Sequence, residues 1–213
     1  MRRATFAVGL LAVLAAPLRV AAQDEDVITL APGVTARGTG AALTVTGGVH
    51  GATTLYRCPV AGGVYADLAP TAGPEEVRTC VARVDGDWEV YALVMFSGTH
   101  IVWVGEHEFQ VGVSGRAEEV VDTGADLREL VVREGSEEGT ALAVYTWRGT
   151  GLVRVFRQWV SGDGPSRTER FRTVRGVATI VLAQRGRHAR RESFVWDARA
   201  FAFVPAPSAA RNR

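Results

Sequence analysis

The 213-residue chain contains no lysine, and all of its 24 basic residues are arginine. We attribute this bias to the base composition of the gene and draw no functional conclusion from it. The sequence also lacks a phosphate-binding glycine loop, a paired-cysteine motif and a zinc-protease signature. These absences remove the commonest motif-based reasons to assign the chain to an enzyme class, and no cofactor is expected.

Long apolar runs are absent after the first residues. Arg2 and Arg3 precede an apolar stretch at 4–14, which is too short to span a bilayer, and Val20-Ala21-Ala22 offers small residues for cleavage. We therefore predict a signal peptide over residues 1–22 and export to the periplasm or exterior, with no later transmembrane segment. The competing interpretation is a buried N-terminal helix. Because no cysteine follows the cleavage position, lipid anchoring of the usual bacterial kind is not expected.

Cysteine is scarce, with Cys58 and Cys80 separated by 22 positions. In an exported chain, two cysteines predict one disulfide. A metal site would need further ligands nearby, and none are close in sequence. A catalytic thiol would need a base, and the nearest candidate, His50, has no spacing that supports this role.

Acidic residues become scarce towards the C-terminus. Residues 23–142 carry 7 Arg against 19 Asp or Glu, whereas residues 143–213 carry 14 Arg against 4 acids. The chain is therefore almost neutral as a whole but strongly polarised along its length.

Helix signals are almost absent, whereas short runs rich in Val, Thr, Ile, Tyr and Phe recur every 8–12 residues between Gly, Asp and Ser turns. This spacing predicts an all-β, antiparallel fold built from hairpins. Fourteen candidate strands run from 41–46 to 200–204, and 61–76 is predicted to be a long loop. Residues 23–204 are expected to form a single domain, which could be divided into sub-units at 23–120 and 121–204, followed by a disordered tail at 205–213.

Two segments are predicted to be central strands. In Val90–Phe96 and Ala141–Trp147, both alternating sets of side chains are apolar. Because neighbouring residues on a strand point to opposite faces, both faces of these strands should be covered.

A repeat is visible in the C-terminal half. Tyr145-Thr146-Trp147 and Phe194-Val195-Trp196 are 49 residues apart, and Leu130-Val131-Val132 lies at the same offset from Thr179-Ile180-Val181. Two related units of about 49 residues are compatible with a sandwich-like stack or a partial propeller. Since so few units cannot close a propeller, we favour the stack.

The segment Val121-Asp122-Thr123-Gly124-Ala125-Asp126-Leu127-Arg128-Glu129-Leu130-Val131-Val132-Arg133 resembles the bacterial FG-GAP/VCBS-type β-blade repeats. In that family an Asp-rich calcium loop leads into such a strand. The resemblance covers mainly 121–160 and, less closely, 170–204. Of the family's acids only Asp122 and Asp126 are present, too few for a cation that takes six or more oxygen ligands. The resemblance therefore implies blade-like units that have lost the metal.

His100, Glu106 and His107 form the best cluster of residue types for catalysis, and a hydrolase centred on them is one alternative function. However, Glu106 and His107 are adjacent on a predicted strand and should diverge. We therefore expect His107 to pack beside Phe109 at a strand start. For Asp85-Gly86-Asp87, a hairpin turn is favoured over a cation site.

The basic C-terminal third is the strongest functional signal. Arg185, Arg187, Arg190 and Arg191 lie within seven residues, and Arg167, Arg170, Arg172 and Arg175 alternate unevenly just before them. Arginine binds phosphate, sulfate and carboxylate groups well, and Trp147 and Trp196 could stack on a ligand.

We therefore predict a non-catalytic binding protein that contacts an anionic glycan, lipid or protein of the envelope. Nucleic acid is not expected as a partner because the chain leaves the cytoplasm. The competing interpretation is that these arginines pair with acidic residues of the same chain. A further alternative is a purely structural module that docks a partner protein.

Overall fold

The computed structural model describes residues 25–59, 63–70, 73–85, 88–108, 115–122, 128–136, 139–162, 166–184 and 189–207. Every regular element in these segments is a β-strand, and all strand pairs are antiparallel. The predicted all-β antiparallel class is therefore confirmed. Within these segments there is no helix with the length and hydropathy that a membrane-spanning segment requires. The predicted signal peptide, residues 1–22, lies outside them.

The described segments contain sixteen strands in three sheets. Sheet A consists of β1 (Asp26–Ala31), β2 (Val34–Gly38), β3 (Ala42–Thr46), β4 (Thr53–Arg57), β5 (Val64–Ala66), β6 (Glu75–Val84), β7 (Trp88–Ser97) and β8 (His100–Glu108). Sheet B consists of β9 (Gly115–Asp122), β10 (Arg128–Ser136), β11 (Gly139–Arg148) and β12 (Gly151–Gly162). Sheet C consists of β13 (Arg167–Val174), β14 (Val177–Gln184), β15 (Arg190–Asp197) and β16 (Ala202–Pro205).

Sheet A curls into a nearly closed barrel. Its strands follow the order β1-β2-β3-β4-β6-β7-β8, and β5 also pairs with β6. At the seam between the first and last strands, the backbone N–H of Ile101 on β8 donates a 2.8 Å hydrogen bond to Asp26 on β1. The interior is filled by buried side chains such as Leu43, Val94 and Phe96. The barrel therefore has its own hydrophobic core.

Cys58 and Cys80 form a disulfide, as predicted. Cys58 directly follows β4, and Cys80 lies in β6, so the bond joins neighbouring strands of the barrel. Both cysteines are buried in the barrel core.

Sheet B is the central layer. On one face, Leu130 and Tyr145 pack against Tyr91 and Leu93 of the barrel. On the other face, side chains such as Leu142 pack against sheet C. The alternating faces of Val90–Phe96 are likewise divided between the barrel interior and the contact with sheet B. The prediction that 90–96 and 141–147 are covered on both faces is confirmed.

Sheet C is the outer layer of the stack. Ile180, Leu182, Phe194 and Phe203 are buried against Phe156 and its neighbours in sheet B. Because these sheets meet face to face, the sandwich-like stack describes the fold, as we favoured.

The two C-terminal sheets repeat one another. Each is a four-stranded meander, and Tyr145-x-Trp147 on β11 and Phe194-x-Trp196 on β15 each face the preceding layer. The register differs from the prediction by one residue. Leu130 pairs with Tyr145, whereas the residue that pairs with Phe194 is Ile180 and not Thr179. The offset is therefore 49 for the aromatic strands and 50 for the strands that precede them.

The N-terminal part of the barrel contains strands that the sequence pattern did not predict. β1 and β2 pair with each other, and neither was predicted. β5 pairs with β6 and lies inside the segment 61–76 that was predicted to be a loop. The inward positions of β2 include Ala36 and Gly38, both of which are buried. Because these residues are so small, β2 shows little of the apolar alternation that identifies a strand.

Candidate functional site

The arginines of the C-terminal third fall into two groups. Of the ten that the structure describes after Ala143, four pair with a carboxylate: Arg154 and Arg157 with Glu134, and Arg167 and Arg190 with Glu192. The other six make no ion pair within the described part of the chain: Arg148, Arg170, Arg172, Arg175, Arg191 and Arg199. Internal neutralisation therefore accounts for some of this charge but not for all of it.

Three of the six lie together on the outer face of sheet C. Thr168 on β13 is aligned with Ala183 on β14 and Arg191 on β15, and Arg170 is aligned with Val181 and Ser193. Residues aligned across antiparallel strands share a face, and that face alternates along each strand. Since the intervening residues of β14 and β15 pack against sheet B, these side chains point away from it.

Arg170, Arg172 and Arg191 therefore form one exposed surface, which we call the arginine face. Strand geometry places the Cα atoms of Arg170 and Arg172 about 7 Å apart, and that of Arg191 about 10 Å from β13.

A hollow of about 330 Å³ lies on this face, lined by Thr168, Glu169, Arg170, Val181, Ala183 and Arg191. Its apolar lining residue Val181 is buried, and Arg170 and Arg191 stand on opposite sides because β14 runs between their strands. The carboxylate of Glu169 is already bonded to Arg133 of sheet B. The hollow therefore presents two guanidinium groups, which are suited to phosphate, sulfate or carboxylate oxygens.

The predicted ligand-binding residues are only partly brought together. Arg185 and Arg187 lie outside the described residues. Arg191 belongs to the arginine face, whereas Arg190 lies 2.9 Å from Glu192. Trp147 packs against the core between the barrel and sheet B, and Trp196 packs against Phe201 and Phe203. Both tryptophan rings have structural contacts, so we do not place them in the candidate site.

Arg170 and Arg172 were not among the ligand-binding residues predicted from the sequence. Their signal was present in the alternation of β13, where even-numbered positions 168–174 are exposed. The exposed face of β13 could not be assigned from the sequence, because no sequence pattern shows which side of sheet C lies against sheet B.

The three residues of the predicted catalytic cluster do not converge. His100 is exposed, and its Nδ1 lies 3.0 Å from the carboxylate of Asp26 at the barrel seam. Glu106 points into the barrel, where the hydroxyl of buried Tyr56 donates a 2.7 Å hydrogen bond to it. His107 points the other way, towards sheet B. The expected divergence of Glu106 and His107 is confirmed, and this geometry offers no support for a hydrolase centre.

The environment of His107 differs from the prediction. The residue lies near the end of β8 instead of at a strand start, and its ring stacks on Tyr91 with centroids 5.1 Å apart. Phe109, the predicted neighbour, lies outside the described residues. The Nε2 atom of His107 is buried and has no hydrogen-bond partner in the described part of the chain.

His107 belongs to a polar cluster between the barrel and sheet B. Tyr91 donates a 2.7 Å hydrogen bond to Glu134, and its hydroxyl lies 2.9 Å from that of Tyr145. Arg157 donates a 2.6 Å bond to the other oxygen of Glu134, and Arg154 lies 3.6 Å from this carboxylate. The buried carboxylate of Glu134 therefore faces two arginines of sheet B and accepts a hydrogen bond from Tyr91 of the barrel.

Burial explains how this cluster ionises. It lowers the pKa of His107 to about 4, and the positive charge of Arg154 acts in the same direction. It raises the pKa of Tyr91 and Tyr145, whose ionised forms would also face Glu134. At neutral pH the histidine and both tyrosines are uncharged. Since the described polar contacts run between the layers, we interpret the cluster as a structural joint.

Metal binding has no geometric support in the described segments, which contain no group of three or more His, Cys, Asp or Glu side chains placed to hold an ion. Val84 pairs with Trp88, so β6 and β7 form a hairpin at the place where a turn was predicted; Gly86 and Asp87 lie outside the described residues. Most of the loop that resembles the calcium loop of the blade repeats, residues 123–127, lies outside the described residues.

No protein-family model matches this chain, and no curated protein or solved structure matches it either. The functional argument therefore depends on the geometry alone.

Proposed function

We propose that this chain is a non-catalytic binding protein that contacts an anionic glycan, lipid or protein through the arginine face. The observation that carries this proposal is the placement of Arg170, Arg172 and Arg191 on one exposed side of sheet C without a carboxylate partner in the described part of the chain. An exposed surface of one charge attracts ligands of the opposite charge and speeds their association.

The hollow between Arg170 and Arg191 supports a specific contact in addition to general attraction. Its volume of about 330 Å³ lies at the lower end of the range for small-molecule sites, about 300–1,000 Å³. One anionic group seated there would meet guanidinium groups from two sides. A polyanion could place further charges beside Arg172, one step along β13.

The test is retention of the protein on a heparin column, using residues 23–213. We expect retention at low salt that is largely lost when Arg170, Arg172 and Arg191 are all changed to Ser. The control changes Arg37, Arg57 and Arg83 to Ser, because these arginines are exposed on sheet A and their replacement removes the same net charge. Equal loss in both triple variants would show that net charge alone governs retention and would refute a defined site.

A second variant tests the arginine cluster that the sequence predicts. Changing Arg185, Arg187, Arg190 and Arg191 to Ser should reduce retention because it removes Arg191 from the arginine face. If restoring Arg191 alone in this variant recovers none of the retention, the arginine face is not the contact surface.

We also infer that the protein is exported. Its N-terminal residues have the pattern of a signal peptide, and the Cys58–Cys80 disulfide is weakly consistent with an oxidising compartment. Mass spectrometry of the protein from its native cells should find Gln23 as the first residue. A mature chain that retains Arg2 and Arg3 would contradict this inference.

A further inference from the structure

A second cavity lies where β12 of sheet B meets β15 and β16 of sheet C. It has a volume of about 590 Å³ and is lined by Gln158, by residues 190–194 and by residues 205–207. An adjoining hollow of about 300 Å³ shares Gln158, Phe194 and Pro205 with it and extends to Phe156 and Phe203. We call the two together the interlayer groove.

One end of the interlayer groove has an apolar floor, and Arg154 and Arg157, both of which pair with Glu134, also line this end. Phe156 packs edge-to-face on Phe194 and Phe203, with ring centroids 4.9 Å and 6.2 Å apart. Pro205 adds a further apolar surface without a backbone donor. Such a lining favours hydrocarbon over water, because a ligand's CH₂ groups gain free energy when they leave solvent.

The other end is basic. Glu192 is shared between Arg167 and Arg190, each at 2.9 Å, while Arg191 makes no ion pair with a described carboxylate. These three arginines and one carboxylate leave an excess of two positive charges. Arg190 and Arg191 both line the cavity, Arg191 from the outer face of β15 where that strand extends beyond β16, so an anionic group at this end would be attracted.

From this combination we propose that the interlayer groove binds a single-chain anionic lipid, with its head group at Arg190 and Arg191 and its acyl chain along Phe194 towards Phe203. This inference rests on the proposed function, because Arg191 lines both the groove and the hollow on the arginine face. It selects a lipid from the anionic ligands, since a glycan has no apolar segment to place against the phenylalanine rings. The dimensions fit small-molecule sites.

Isothermal titration of the folded protein with decyl phosphate, below its micelle concentration, tests the proposal. We expect decyl phosphate to bind at least about tenfold more tightly than inorganic phosphate, because the acyl chain is buried. It should also bind more tightly than the neutral decyl maltoside. Equal affinity for decyl phosphate and inorganic phosphate would overturn the lipid proposal.

Gln158→Trp fills the groove from its wall without altering the phenylalanine floor, and Arg191→Ser removes the unneutralised cation. Both should weaken decyl phosphate binding about tenfold or more, whereas the control Arg83→Ser should leave it unchanged. Retention of Gln158→Trp on heparin should be unchanged. If decyl phosphate binds this variant as well as the parent protein, the groove is not the site. Loss of heparin retention by the arginine-face variants would still support the proposed function in that case.

Discussion

The hydroxyl of Tyr91 on β7 lies 2.7 Å from a carboxylate oxygen of Glu134 on β10. Both residues are buried, and the bond connects the barrel to sheet B. The barrel and sheet B are therefore joined by a polar contact as well as by apolar packing, and removing this bond measures how much it contributes to stability.

Tyr91→Phe should lower the free energy of unfolding by about 1–3 kcal/mol, because it removes a donor from a buried carboxylate while it keeps the ring. Urea unfolding followed by circular dichroism measures this change. Tyr65→Phe serves as the comparison, because it also removes a side-chain hydrogen bond, to Glu76. Tyr65 is 71% exposed and Glu76 keeps both bonds from Arg78, so the loss should be smaller, at about 0.5 kcal/mol. Equal effects of the two variants would contradict the assigned role of the cluster.

Stability should depend on the protonation of His107. Its folded pKa of about 4 lies below the ordinary value of 6.5, so the folded state favours the neutral ring. Because the ring takes up a proton more readily in the unfolded chain, the free energy of unfolding is highest above pH 6.5 and decreases as the pH falls towards 4. The contribution is about 3 kcal/mol at most. Glu134, Arg154 and His50 are the charged or titratable groups that act on the ring besides the neutral Tyr91 and Tyr145.

Unfolding free energies measured at several pH values between 4 and 6.5 check this prediction. His107→Gln should show a flatter profile, because an amide does not titrate. The carboxylates whose pKa is lowered, Asp26 and Glu76, begin to lose their contribution near their ordinary pKa values of 3.8 and 4.5. They therefore affect only the acidic end of this window, and they do so equally in both proteins. Parallel profiles for the two proteins would refute the role of His107.

The disulfide should contribute to stability by constraining the unfolded chain. Cys58 and Cys80 are separated by 22 residues. Closing a loop of this size is worth about 3 kcal/mol. The double variant Cys58→Ala, Cys80→Ala should therefore unfold at a lower urea concentration than the oxidised protein. A reducing agent should lower the midpoint of the parent protein but leave that of the variant unchanged.

The central sheet should be sensitive to cavities. Leu142 is fully buried between sheets B and C, whereas Leu55 on the barrel is 60% exposed. Leu142→Ala should cost about 2–5 kcal/mol, and the chemically identical change Leu55→Ala should cost much less. Thermal and urea unfolding of both variants provide the comparison. A small loss for Leu142→Ala would show that sheets B and C are not packed as described.

Much of the fold could be predicted because a strand buried on both faces is almost entirely apolar, and such a run is easy to recognise in a sequence. Val90–Phe96 and Ala141–Trp147 read as central strands, since nearly every side chain in them must be apolar. The glycines that separate the apolar runs were equally informative: Gly98 joins β7 to β8 with a φ of 62°, which favours glycine. The strands β2 and β5 were missed because their inward residues are small or few, whereas β1 alternates at Ile28 and Leu30 and could have been predicted.

The candidate site was less predictable, because a sequence shows which residues alternate but not which face a neighbouring layer covers. The alternation of β13 separates Arg170 and Arg172 from Phe171, yet only the packing of sheet C on sheet B makes the arginines the exposed set. The same limit applies to Trp147 and Trp196. Their spacing identified the repeat, whereas their contacts place them among the core residues.

The two-sided middle sheet has a consequence for synthesis of the chain. Until the residues after 166 have emerged and folded, Val131, Leu142 and Phe156 have no covering layer and form an apolar patch open to water. A nascent or proteolysed chain that ends there should self-associate through this patch, so the residues from 167 onwards shield the middle layer from water as well as forming sheet C.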